Sequence, residues 1–131
     1  MTYDCFEDVP VWKDAIRLAE LVDDFVRGEA GQAISYSKKD QIERASLSVS
    51  NNVAEGFDRG SNKELIHFLY IARGSASETC SMTLFFQRRP YLKKYFTEIQ
   101  VIESLARSCA KQLRAWAGHL QQSEIKGSKF Q

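Results

Sequence analysis

The residues best suited to chemistry in this chain are cations set among aromatics. The run Arg88-Arg89-Pro90-Tyr91-Leu92-Lys93-Lys94-Tyr95 holds four positive charges and two tyrosines. Cationic side chains neutralise phosphates and exposed aromatic faces stack on unpaired bases, so this mixture suits single-stranded nucleic acid. Lys38 and Lys39 form a second basic pair, while Asp23, Asp24, Glu29 and Asp40 oppose both groups. A solvated loop explains the run equally well without any ligand.

Other chemistries find less support. Arg44, Ser48, Asn51 and Glu55 fall four, three and four residues apart, one line down a helix, with Asn52 beside them and Arg59 a turn further. Intrahelical pairs or a subunit contact account for that line as readily as a recognition surface. Gly74, Ser75 and Glu78 set small residues beside one carboxylate, which suits a tight interface better than general acid–base work, since the latter needs a second titratable partner. His67 and His119 lack metal-competent neighbours on their own helical faces. No serine or cysteine stands in a nucleophile motif, and no glycine-rich loop cradles phosphate. The expectation is a protein that is not an enzyme and carries neither metal nor cofactor.

The totals agree with a small globular domain. At 131 residues the chain suits one core, and 44% hydrophobic with 27% charged residues argues against disorder. A formal charge of +1 draws the chain to no polyanion as a whole, so electrostatic binding must be local. Cys5, Cys80 and Cys109 are odd in number and widely spaced, and read as buried small hydrophobes in a reducing compartment. The acidic start of the chain is unlike a signal peptide, and no apolar run suffices for a membrane span, which predicts a soluble cytoplasmic protein.

Four periodic segments must position these residues. Asp8 as cap and Pro10 in the first turn start the first helix, Val11, Ala15, Leu18, Val22 and Phe25 face inward, and Gly28 and Gly31 end it. Ser37 is the expected cap of the second, which buries Ile42, Ala45, Val49 and Val53 and closes at Gly56. Ser61 and Glu64 form a capping box for the third. That helix carries Leu65, Phe68, Leu69, Ala72, Ala76 and Cys80 on one face, widened by Ile71, Met82 and Phe86, so it is expected to be buried on more than one side. Its small middle around Gly74 predicts close approach of a neighbouring helix. The fourth starts near Thr97, and its inward positions are Ile99, Ile102, Ala106, Cys109, Leu113, Trp116 and Leu120. Helices near 9–27, 38–57, 62–88 and 96–121 give an all-α, antiparallel up-down-up-down four-helix bundle over 1–122 with a flexible tail over 123–131. In that topology Lys38 and Lys39 lie at the same end as the 88–95 run. The extra apolar circumference of the third helix predicts homo-oligomerisation.

The stretch from Gln41 to Phe57, followed by Arg59, Ser61, Glu64, Phe68, Leu69, Ala72, Gly74, Ser75 and Glu78, closely resembles the four-helix bundle proteins encoded in intervening sequences of bacterial 23S rRNA genes. The opening Phe6-Glu7-Asp8-Val9-Pro10-Val11-Trp12-Lys13 looks like the start of that family, and the resemblance extends to about Leu120. It implies a ring-shaped homopentamer of unestablished molecular role. A more distant resemblance, to bundles accompanying diversity-generating reverse transcriptases, implies nucleic-acid binding. Where the family often has two basic residues before the alanine, this chain has Glu43-Arg44, one positive charge fewer.

Overall fold

The computed structural model describes residues 2–129, with side-chain surroundings through Ser123. Four long helices account for most of it: α1 Pro10–Arg27, α2 Tyr36–Asp58, α3 Asn62–Gln87 and α4 Phe96–Lys129. Short 3-10 turns cover Phe6–Asp8, Glu29–Ala33 and Pro90–Tyr95, and no strand occurs among the described residues.

The inward periodicity of α1 is realised, with Val11, Ala15, Leu18, Val22 and Phe25 all buried. Its cap differs from expectation. Val9 occupies the N-cap and Asp8 instead accepts a hydrogen bond from the Cys5 thiol at 3.2 Å, within the 3-10 turn that precedes the helix. Gly28 ends α1, its N–H reaching the Asp24 carbonyl at 3.0 Å. A Cβ at Gly31 would lie 1.8 Å from the Val26 carbonyl oxygen, so only glycine lets the Glu29–Ala33 turn fold back onto α1.

α2 is capped two residues earlier than expected. Ser35, not Ser37, holds the N-cap, because the Lys39 N–H already closes onto the Ser35 carbonyl at 3.1 Å. Nor does Gly56 end the helix. α2 runs on to Asp58, and Gly60, at φ 86°, supplies the left-handed turn. Gly56 serves packing instead: a Cβ there would meet the Cβ of Phe68 at 2.7 Å and Leu65 Cδ1 at 3.2 Å, so its bare backbone lets α3 approach.

Ser61 caps α3 as expected, its Oγ accepting from the Glu64 N–H at 3.2 Å. α4 begins at Phe96, one residue before the expected Thr97, after a 3-10 turn that buries Leu92. It continues as helix to Lys129, past the boundary expected near 121, so the start of the tail expected over 123–131 is helical backbone. The side chains from 124 onward, and residues 130 and 131 altogether, lie outside the described residues.

The helices form a bundle in which α1 packs on α2, α2 on α3, α3 on α4, and α4 returns to α1. Phe25, Phe86, Leu18, Ile42, Leu69, Ile99, Ile102 and Leu113 fill the interior, with the Phe25 and Phe86 ring centroids 5.9 Å apart. Polar links sit at the seams: Gln41 to Glu78 and Ser75 to Ser48 join α2 and α3, Gln87 to Glu103 joins α3 and α4, and Gln112 to Asp14 joins α4 and α1. The buried hydroxyls of Ser46, Ser50, Thr79 and Thr83 each donate to a carbonyl of their own helix. No described helix is long and apolar enough to cross a membrane.

Candidate functional site

The connection after α1 and the connection after α3 pack against each other at one end of the bundle. Pro90 starts the 3-10 turn of the second connection and Leu92 pins it to the core, which leaves Tyr91, Lys93 and Lys94 outside. The basic run is partly neutralised there. Lys94 Nζ lies 3.0 Å from Glu29 Oε1. The hydrogen bond from Lys94, with the lysine's charge, holds the Glu29 carboxyl below its ordinary range, and Lys94 is raised in return. Burial, then the Glu29 contact, raises the Tyr95 phenol.

The remaining cations of this end are distributed unevenly. Arg89 lies over the Phe85 ring at 5.6 Å, and Lys38 donates to Ser35 Oγ at 3.4 Å. Arg88, Lys93 and Lys39 make no ion pair among the described residues. Tyr91 is 52% exposed, whereas Tyr95 is half-buried against the core, so one of the two expected stacking platforms is turned inward.

The polar line of α2 resolves into two parts. Arg44 pairs with Asp40 and Arg59 with Glu55, both at 2.9 Å and one helical turn apart, which is an intrahelical arrangement. Arg59 also lies 5.1 Å from the Phe68 ring centroid. Asn52 points to the α2–α3 seam, donating to the Ser48 carbonyl and hydroxyl at 2.8 Å, and Ser75 Oγ donates to Ser48 Oγ at 3.0 Å. Glu78 accepts from Gln41 at 3.4 Å, and Asn51 is exposed. Of these contacts, the Gln41–Glu78 and Ser75–Ser48 bonds link α2 to α3.

Gly74 departs from expectation. A Cβ there would meet nothing within 4 Å, so no helix of the same chain approaches it. Ile71, expected to widen the buried face of α3, is instead exposed. Tyr70, Ile71, Leu84 and Phe85 form an outward apolar stripe broken by Gly74, Ser77 and Ser81.

Cys80 and Cys109 are buried as expected, but Cys5 is only half-buried. Burial, with a contribution from Asp14, pushes the Cys109 thiol up to about 12. His67 stacks edge-on against Phe68 and His119 lies at the surface. No group of three His, Cys, Asp or Glu suited to a metal occurs among the described residues.

One cluster escaped the sequence reading. Arg73 of α3 and Arg107, Lys111 and Arg114 of α4 line a single groove with Ser77 and Ser81. The signal on α4 was its four- and three-residue spacing of cations; Arg73 joins them only through helix pairing.

No curated protein matches the chain at a significant level. The sequence model of one family, described as 23S rRNA-intervening sequence protein, matches residues 7–115, which cover the basic connection, the α2–α3 seam and three of the four helices in full. The chain described here belongs to the 23S rRNA-intervening sequence protein family.

Proposed function

We propose that this chain is a non-enzymatic, homo-oligomeric scaffold of the cytoplasm, an antiparallel up-down-up-down bundle whose copies assemble side by side into a closed ring, five-membered as the family resemblance implies. The antiparallel arrangement is supported by the seams: ascending residues 41 and 48 of α2 meet descending residues 78 and 75 of α3.

The observation that carries the oligomer reading is the outward stripe of α3. Its large side chains are about two-fifths exposed while the interior is already full. Gly74 at its centre leaves room for a neighbouring backbone, and apolar area removed from water is worth roughly 25 cal/mol per Å². Light scattering at micromolar concentration is expected to give a multiple of the 15.0 kDa chain mass. A particle of single-chain mass would eliminate the scaffold reading.

A second reading, nucleic-acid binding at the basic end, is favoured by Arg88 and Lys93, which lack acidic partners among the described residues beside exposed Tyr91. Loss of Lys94 to Glu29 weakens it. Charge reversal at Arg88 and Arg89 is expected to reduce RNA binding at low salt if this end is used, and equal binding by both proteins would retire it.

A further inference from the structure

A second cationic surface lies on the side of the bundle, away from its end. Between α3 and α4 runs an open groove of about 530 Å³ lined by Arg73, Arg107, Lys111 and Arg114, with Ser77 and Ser81 along one wall. Its lining holds no carboxylate among the described residues. Arg107 is paired, at 2.7 Å, with Glu103 just beyond the groove. Arg73, Lys111 and Arg114 have no ion-pair partner among the described residues. Arg73 is held in place by the Tyr70 ring, 5.4 Å away.

Like charges brought together this way repel, so in the absence of a ligand the cluster costs free energy rather than supplying it. At a rise of 1.5 Å per residue, the α4 cations extend over about 10 Å from Arg107 to Arg114, with Arg73 facing them from α3. An elongated row, open to solvent along its length, matches a chain of phosphates better than a single convergent anion. Arginine also binds phosphate oxygens bidentately, and the serine hydroxyls add neutral donors. Among the described residues Leu84 is the only large apolar side chain in the lining and no aromatic occurs there, which is poor material for the anchors that dominate protein interfaces.

We propose that the α3–α4 groove binds the phosphate backbone of a single nucleic-acid strand, reading charge and not base sequence. The site is separate from the basic end, but it shares Ser77, Ser81 and Leu84 with the outward stripe of α3, so a strand and a second copy would compete for that part of the face. With no stacking platform in its lining, it should accept RNA and single-stranded DNA of any sequence.

The test is fluorescence anisotropy of a labelled single-stranded oligouridylate titrated with the full chain at two salt concentrations. With three unpaired cations contacting phosphates, the slope of log affinity against log salt is expected near −2.1, an affinity loss of about twenty-fold between about 50 and 200 mM salt. Lys111→Gln with Arg114→Gln should weaken binding and flatten that slope to about −0.7. Lys13→Gln with Lys63→Gln removes the same charge from exposed positions on α1 and at the start of α3, outside both cationic surfaces, and should change neither. Light scattering on both double variants should give the wild-type mass. Absence of binding at the lower salt, equal losses in the two double variants, or a loss that follows a change in particle mass would each overturn the assignment. Displacement of the strand by tripolyphosphate at equal phosphate concentration would overturn it too, by showing a small-anion site.

Discussion

Glycine-to-alanine exchange at positions 56 and 74 applies one chemical change to two opposite environments. Both glycines sit inside helices, where alanine gains about 1 kcal/mol through helix propensity and a less flexible unfolded chain. At Gly74 nothing lies within 4 Å of the added methyl, so in the isolated chain the gain is realised. At Gly56 the methyl would stand 2.7 Å from the Phe68 Cβ and 3.2 Å from Leu65 Cδ1. The Phe68 Cβ is fixed to the α3 backbone, so relief requires α2 and α3 to separate, and overpacking of this kind costs about 1–3 kcal/mol. Gly56→Ala should therefore lose about 1 kcal/mol net, and the two variants should differ by roughly 2 kcal/mol. Urea unfolding followed by circular dichroism reads both midpoints under one set of conditions. Equal stability of Gly56→Ala and wild type would refute the close approach assigned to α2 and α3. For Gly74, stabilisation at high dilution that turns into loss of assembly at higher concentration is the behaviour expected of a stripe covered by a second copy.

Two further outcomes follow from the titratable groups. With its thiol pushed from an ordinary 9.0 up to about 12, native Cys109 should react with iodoacetamide at pH 8 about a thousand-fold more slowly than an ordinary thiol; labelling of all three cysteines at one rate in the folded protein would contradict its burial. Because Glu29 has a lowered carboxyl pKa, the unfolded chain binds more protons than the folded one in acid. The contribution of Glu29 is thus complete above the usual carboxylate value of 4.5 and is lost as pH falls through its folded value. Glu29→Gln should flatten the acid side of the stability–pH curve, and an unchanged curve would show that the Lys94 contact has no effect on folding.

The helices were legible because their cores obey a three- and four-residue spacing that few other arrangements produce. Val11, Ala15, Leu18, Val22 and Phe25 are all buried, as are Ile99, Ile102, Ala106, Cys109 and Leu113. The ends were less legible. Ser35 and Ser37 are chemically alike, and only the backbone bond from Lys39 to Ser35 decides which one lies outside the helix. Gly56 and Gly60 likewise share a residue type, but one makes room for Phe68 and the other adopts a positive φ. The basic run at 88–95 was visible as a local cluster, whereas its partner Glu29 stands 65 residues from Lys94. The groove was hidden for the same reason: Arg73 is remote in sequence from the α4 cations, and only the pairing of α3 with α4 brings them together.

The hydroxyls buried in the bundle have a consequence for how such a sequence can diverge. Ser46, Ser50, Thr79 and Thr83 spend their hydrogen bonds on their own helices, so none of them recognises a neighbour. Exchange of either serine for alanine removes donor and demand together and leaves no orphan behind. Descendants of this chain are free to wander at those positions without losing the relative alignment of their helices. Gly56 has no such freedom, because every larger residue must be answered by a change at Phe68 or Leu65. Drift at that seam is expected to come in coupled pairs, with the hydroxyl positions changing one at a time.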